Sequence, residues 1–319
     1  SIKCYNCGLD FYLENPPEAE TIHCQKVNFL KKHGGKAEAA AAAPAAKCGF
    51  YHMCENSEKA KKEEYIMKPT NYDARLQEID FFQIHPHLIP YIGDRYEKYK
   101  ILQIAESHYL NQTESNMSVH INDFIDDWFL RPCEYLIKGC ETWVDTRAVV
   151  ENFLAGTGRN TTIMNVLKPF CRIVLSKEGS RMSKEERECY QYFSFMNYFQ
   201  MPSLLSGKKY WNSLEYDSKL CTGNKESAYE MWNKCVQKSD AVLDAVIDIL
   251  EPTMIVFTSL SAGKAYSGRY KNDKRTVYTS HPQSPVSWNK PLKSLQNKTG
   301  KEVYEHALKK FYCKGEFER

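Results

Sequence analysis

Apolar and polar positions divide the chain into a first stretch without clear periodicity and a longer one in which strand-like and helix-like patterns alternate. Residues 1–60 are cysteine-rich and poor in apolar periodicity, and residues 36–47 are an alanine-rich, low-complexity segment with a single Pro44. Residues 55–64, dense in Lys and Glu, read as a helix or linker into the main domain. Beyond about Phe81 the first clear strand is Ile101-Leu102-Gln103-Ile104-Ala105, an apolar run after a charged approach. Residues 123–130 and 142–154 carry helical spacing. Residues 188–200 hold an aromatic-rich run that reads as a buried strand or its edge. Helical spacing is firmest over 228–250, where Met231, Trp232, Cys235, Val242, Val246 and Ile249 recur on one face and Pro252 ends the pattern. A second buried strand follows at 253–259, then a short helix after Ser261, and a third strand at 276–280 that runs into His281-Pro282. An amphipathic helix at 300–312 closes the pattern. Strands alternating with helices predict an α/β domain on a largely parallel sheet, over residues 61–319, with its site at the carboxyl edge.

Composition and charge sharpen this picture. A hydrophobic content of 42% in 319 residues, with mean hydropathy −0.57, excludes disorder over most of the chain. Apolar runs such as Ile255-Val256-Phe257 fall far short of the roughly 20 residues of a membrane span. No basic-then-apolar leader opens the sequence, so a soluble protein of the cytoplasm, or of the nucleus in a eukaryote, is expected. Net charge is only +3, but residues 264–319 hold 13 Lys/Arg against 5 Asp/Glu, leaving about −5 on the first 263. That asymmetry fits an anionic partner held from one side, or simply a solvated lysine-rich surface.

Five of the twelve cysteines lie within the first 54 residues. Cys4-Tyr5-Asn6-Cys7-Gly8 is a Cys-x-x-Cys turn that lets two thiolates face one tetrahedral metal. Cys48 with Cys54, or with His52, supplies a second pair, and His23 and Cys24 compete for the same role. The expectation is a structural zinc on Cys4, Cys7, Cys48 and Cys54 in a ribbon-like module over residues 1–60. An iron–sulfur cluster is the alternative, and reduced thiols without metal the plain one. The remaining seven cysteines scatter without paired spacing, and most of them read as buried small side chains.

Two further constellations carry polar chemistry. Glu106-Ser107-His108-Tyr109 follows the first strand directly, and a carboxylate, hydroxyl, imidazole and phenol on one turn are costly unless used or hydrogen-bonded. Glu106 is a candidate general base or electrostatic stabiliser, and His108 a base, donor or phosphate contact; the whole turn also reads as ordinary surface. The second is His281-Pro282-Gln283-Ser284-Pro285-Val286-Ser287-Trp288, where prolines stiffen a loop around an imidazole. Ser284 and Ser287 can meet phosphate oxygens there, and Trp288 offers a stacking face. Lys264, Arg269, Lys271, Lys274, Arg275, Lys290 and Lys293 flank this loop and suit a sugar–phosphate backbone.

In order, Ile104-Ala105-Glu106-Ser107-His108-Tyr109, the mid-chain Asn197 after an aromatic run, and His281-Pro282-Gln283-Ser284-Pro285 resemble the uracil-DNA glycosylase superfamily over roughly residues 85–310. The resemblance implies a three-layer α/β/α domain with a short, mostly parallel sheet, and a flipped nucleotide bound at its carboxyl edge. It implies that Glu106 positions or activates water, that Asn197 reads the base, and that His281 stabilises the departing base anion. Tyr109 and His108 would then line the base pocket, while Ser284, Ser287, Lys264, Arg269 and Lys290 would hold the nucleic-acid backbone. The implied activity is hydrolysis of an N-glycosidic bond in DNA, with a non-catalytic nucleic-acid-binding protein on the same fold as the alternative.

The sequence departs from that pattern at three positions. Ser107 and His108 stand where the family often has aspartate and proline, so only Glu106 keeps a carboxylate, as in a Gly-Glu-Ala-Pro-Gly branch that also bears an iron–sulfur cluster. Gln283 lengthens the usual His-Pro-Ser-Pro loop by one residue. The changes point to a modified base as readily as to uracil. An unrelated serine hydrolase fits least, because neither Ser107 nor Ser261 lies in a Gly-x-Ser-x-Gly elbow.

Overall fold

The computed structural model describes residues 2–3, 10–11, 71–112, 128–132, 144–158, 160–177, 182–205 and 225–313. The chain divides into two compact units, Ser1–Glu63 and Glu64–Arg319. In the first, β1 (Ile2–Lys3) pairs antiparallel with β2 (Asp10–Phe11), Ile2 opposite Phe11. The proposed metal ligands Cys4, Cys7, Cys48 and Cys54, with His23, Cys24 and His52, lie outside the described residues.

The second unit contains, in order, α1 (Asp73–Gln77), α2 (Asp80–Ile84), β3 (Tyr91–Ile92), α3 (Tyr96–Tyr99), β4 (Ile101–Ala105), β5 (Tyr109–Gln112), α4 (Thr146–Ala155), α5 (Thr161–Val174) and α6 (Lys184–Glu188). It continues with β6 (Phe193–Asn197), β7 (Ser203–Leu205), α7 (Lys225–Leu250), β8 (Met254–Phe257), α8 (Leu260–Ala265), β9 (Thr276–Tyr278), α9 (Pro285–Asn289) and α10 (Gly300–Tyr312). Five strands form one sheet in the order β3-β6-β4-β8-β9, with the edge strand β3 antiparallel and the other four parallel.

The strands that read as continuous apolar runs are the ones buried on both faces, as a parallel sheet requires. In β4, Leu102 and Ile104 join a core with Leu243, Val246, Ile247 and Leu250 of α7, on the face that also holds α1 and α2. Ile101 and Ala105 point the other way, into a core with Val150 of α4, Val166 and Phe170 of α5, and Tyr304 and Leu308 of α10. Helices thus cover both faces of a mostly parallel sheet, an α/β architecture. Each fully buried aliphatic side chain in these cores contributes about 1.5–3 kcal/mol. Gln103 is the polar exception in β4, and its side-chain oxygen accepts from the buried Tyr190 hydroxyl at 2.7 Å.

Several helix boundaries follow from capping side chains. α4 begins at Thr146, four residues later than the spacing predicts, because Asp145 accepts from the Ala148 N–H at 2.8 Å and caps it there. α4 ends at Gly156 with φ 75°, a left-handed position that favours glycine. α5, absent from the sequence-based expectations, is capped by Asn160 and carries Pro169 within it. α10 spans the expected residues and opens with a Thr299–Glu302 capping box. Of the helix expected at 123–130, residues 128–130 are described and are helical, while α7 starts three residues before the expected 228. Among the described residues no helix is long and apolar enough to cross a membrane.

Candidate functional site

Because β6, β4, β8 and β9 run in one direction, their carboxyl ends share one edge of the sheet. The register sets Ala105 opposite Asn197, Ile104 opposite Phe257, and Phe257 opposite Tyr278. Four segments therefore leave the sheet side by side: 106–108 after β4, 197–200 at the end of β6, 258–259 after β8 and 279–281 after β9. Backbone hydrogen bonds lock them together. Tyr198 and Phe199 N–H donate to the carbonyls of Ala105 (3.0 Å) and Glu106 (2.9 Å). Thr258 and Thr279 N–H likewise donate to Ile104 and Phe257, both at 2.8 Å. Past this edge the chains of β4 and β6 pair again, as the parallel ladder β5–β7 with Tyr109 opposite Ser203, and the Ser203 N–H donates to the His108 carbonyl at 2.7 Å. Glu106, Ser107 and His108 thus span a short gap between two ladders.

Glu106 is 9% exposed, and its Oε2 accepts from the Ser259 hydroxyl at 2.6 Å. Ser259 also caps α8, accepting from the Ala262 N–H at 3.2 Å, so one buried hydroxyl orients the carboxylate and starts a helix. Ser259 is not among the candidates expected from the sequence, although a serine between a buried strand and a helix start is a recognisable cap signal.

Asn197 ends β6 and is 7% exposed. Its backbone carbonyl accepts from the Gln200 side-chain amide at 2.6 Å. No hydrogen bond to its own side-chain amide is present among the described residues. The neighbouring Ser107 Oγ is buried outside good hydrogen-bonding geometry, though near enough to the Tyr109 phenol to oppose the rise in its pKa. Buried polar groups without partners cost stability unless something else engages them, which makes this floor a place for a polar ligand.

His281 follows β9 and is half-buried. The Gln283 N–H donates to its Nδ1 at 3.2 Å, so the neutral ring carries its proton on Nε2. Burial lowers the His281 pKa, against an opposing pull from the Glu106 charge, and this favours the neutral ring. The loop is braced from three sides. Asn165 of α5 donates to the Pro282 carbonyl at 2.8 Å, the Ser280 hydroxyl donates to the Ser287 carbonyl at 2.6 Å, and the Ser284 N–H donates to the His281 carbonyl at 3.1 Å. A Cβ at Gly300 would fall 2.1 Å from Ser280 Oγ, so the first residue of α10 must be small for the loop to seat.

The other expected site residues are placed as follows. His108 is buried, and its Nε2 lies 3.0 Å from the Thr146 hydroxyl at the start of α4. Tyr109 is partly buried, and burial together with the Glu106 charge raises its pKa, keeping the phenol protonated. Ser284 uses its hydroxyl as a cap, accepting from the Ser287 N–H at 3.2 Å. Arg269 is exposed and paired with Asp244 (3.4 Å) and Asp248 of α7, and Arg275 pairs with Asp273 at 2.8 Å. Lys264 and Lys290 stand exposed without an ion pair among the described residues. Among those residues no group of three or more His, Cys, Asp or Glu is placed to hold a metal.

Glu106, Asn197 and His281, far apart in sequence, thus converge on one sheet edge: a carboxylate, an open amide and a neutral imidazole donor. Comparison with family models, with curated proteins and with solved structures finds no match for this chain.

Proposed function

We propose that the Glu64–Arg319 unit is a DNA glycosylase of the uracil-DNA glycosylase type, hydrolysing the N-glycosidic bond of a flipped base to leave an abasic site. The observation that carries this reading is that Glu106, Asn197 and His281 all leave the carboxyl edge of one parallel sheet, at the ends of β4, β6 and β9, with His281 braced as a neutral Nε2–H donor. Breaking an N-glycosidic bond builds positive charge on the sugar and negative charge on the departing base. A carboxylate answers the first and a fixed donor the second, and both act without reorganisation when the fold already holds them. In this reading Glu106 steadies the sugar cation or orients the attacking water. Asn197 pairs with the edge of the base, and His281 donates from Nε2 to the base oxygen that gains charge. Ser107 Oγ offers a further donor or acceptor beside Glu106, where a modified base would meet a different surface from uracil.

Extruding a base from a duplex costs a few kcal/mol, so such an enzyme needs cationic grips on the strand. The exposed Lys264 and Lys290, with the net positive charge of residues 264–319, suit that task, while Arg269 would have to exchange carboxylates for phosphate. A DNA substrate places the protein in the cytoplasm, or in the nucleus of a eukaryotic cell. For the Ser1–Glu63 unit we propose a structural zinc on Cys4, Cys7, Cys48 and Cys54, with an iron–sulfur cluster as the alternative that elemental analysis of the purified protein would distinguish.

The test is release of free base, followed by mass spectrometry, from single- and double-stranded oligonucleotides carrying uracil, hypoxanthine or bulky modified pyrimidines. The expected result is one base released with an alkali-labile abasic site left behind. Salt-dependent binding with no base released from any oligonucleotide would overturn the enzymatic reading in favour of a nucleic-acid-binding protein.

A further inference from the structure

Away from the sheet edge, α5 and the turn that feeds β6 bring two buried cysteines together. Cys171 lies on the last turn of α5, and Cys189 directly follows α6 at the start of the 3-10 turn Cys189–Tyr192 that leads into β6. Both thiols belong to one apolar cluster and are only 2% and 3% exposed. As a thiol, Cys189 donates from Sγ to the Glu185 carbonyl at 3.2 Å, a bond it gives up on ionising, and Cys171 Sγ approaches the next carbonyl, Glu186, at 4.0 Å. The two sulfurs therefore sit over consecutive peptide groups of one short helix, and each perturbs the titration of the other. That helix is itself pinned by the Ser183–Glu186 capping box.

Two isolated buried thiols would serve only as small apolar side chains. Here they are asymmetric. The Cys171 thiol, together with the positive charges of Lys177 and Arg95, stabilises the Cys189 thiolate and draws its pKa down, while Cys171 is pushed up. Cys189 thus supplies the nucleophile and Cys171 keeps the proton, the division of labour that disulfide formation needs.

We propose that Cys171 and Cys189 are a redox modification site, at which a small peroxide closes a disulfide between α5 and the turn before β6. The Cys189 thiolate attacks one peroxide oxygen, the O–O bond breaks, and hydroxide leaves, giving a sulfenic acid. Cys171 sulfur then attacks the Cys189 sulfur, the S–O bond breaks, and the hydroxyl departs as water with the Cys171 proton. Overall two thiols lose two electrons and two protons, and hydrogen peroxide becomes two waters. A small oxidant suits thiols this buried. The new bond would join the helix whose Asn165 braces the Pro282 carbonyl to the turn leading into the strand that ends in Asn197. The inference stands on these two cysteines and does not depend on the glycosylase reading.

The experiment treats the full native chain with a modest excess of hydrogen peroxide, alkylates the remaining thiols, and maps tryptic peptides without reduction. Peptides 160–172 and 188–208 each carry a single cysteine, so their linkage is unambiguous despite twelve cysteines in the chain. Most of the two peptides should appear joined, lighter than their sum by two hydrogens and separated again by a reductant. Cys171→Ser should abolish the link and leave Cys189 as a sulfenic acid that dimedone traps. Linkage that appears only after denaturation, Cys189 joined to some other cysteine, or both thiols left unoxidised while others react would each overturn the proposal.

Discussion

If the Glu64–Arg319 unit is the glycosylase proposed above, Glu106→Gln and His281→Ala should each abolish most base release while leaving the protein folded. The glutamine side chain keeps the volume of the carboxylate and an oxygen that can still accept from the Ser259 hydroxyl, which lies 2.6 Å from Glu106 Oε2, so the packing of this edge survives. What disappears is the negative charge and the ability to take a proton, and loss of a positioned acid–base group lowers rates by about 10²–10⁴-fold. His281→Ala removes the Nε2–H donor that the proposed mechanism sets against the departing base, a loss that by comparison with other preorganised donors should cost about 10²–10³-fold. The backbone around it is held by Asn165, Ser280 and Ser284 independently of the imidazole, so the loop keeps its course. Single-turnover base release, with thermal melting of the same samples, is the measurement. Because both groups would act on one bond-breaking step, the double variant should lose less than the product of the single losses. Release within about threefold of the parent in both single variants, well below the loss expected for either role, would remove Glu106 and His281 from the chemistry.

The sheet was legible in the sequence because its central strands are buried on both faces and so cannot alternate. β4, β8 and the aromatic β6 stand out as short runs of Ile, Leu, Val, Met and Phe with almost no polar interruption. α10 was legible for a different reason, a Thr299–Glu302 box placed before an amphipathic stretch. α5 escaped because Pro169 argues locally against a helix, while Asn160 capping and the burial of Val166, Leu167 and Phe170 override that preference. The pairings of β3, β5 and β7 escaped as well, since strands of two to four residues take their identity from a distant partner.

The site divides along the same line. Glu106 and Asn197 are each visible as a polar residue at the end of an apolar run, and His281 as a histidine just past a short strand and locked by the following proline. Their convergence depends on strand order and register, which join Ala105 to Asn197 and Ile104 to Phe257 across many residues. The same holds for charge. Arg269 counts as a cation in the sequence, and only the packing of its loop on α7 reveals that Asp244 and Asp248 already hold it. The His108–Thr146 contact is equally non-local, spanning 38 positions to the start of α4.

Stability should fall steeply on mild acidification, and His85 is the residue that dictates it. Its ring is 1% exposed and stacks on Trp128 with centroids 4.1 Å apart, while Nε2–H donates to the Trp128 carbonyl at 2.5 Å. Burial lowers its pKa from 6.5 to about 4, overcoming the favourable pull of that carbonyl. In the unfolded chain the imidazole takes up a proton near pH 6.5, whereas the folded protein refuses it until about pH 4. Folding is therefore penalised progressively as pH drops through that window, and the loss levels off once both states are protonated. At 1.36 kcal/mol per pKa unit the full loss is about 3 kcal/mol, a large share of the margin of a typical domain. His87, 5.6 Å away and also lowered by burial, acts in the same direction. Urea unfolding midpoints measured across this window should show the decline. In His85→Phe, which keeps an aromatic ring against Trp128 but cannot titrate, the slope should flatten by that amount, even though loss of the hydrogen bond to the Trp128 carbonyl lowers stability at neutral pH. Equal pH slopes in the two proteins would mean that His85 is accessible to protons in the folded state and that another group governs acid unfolding.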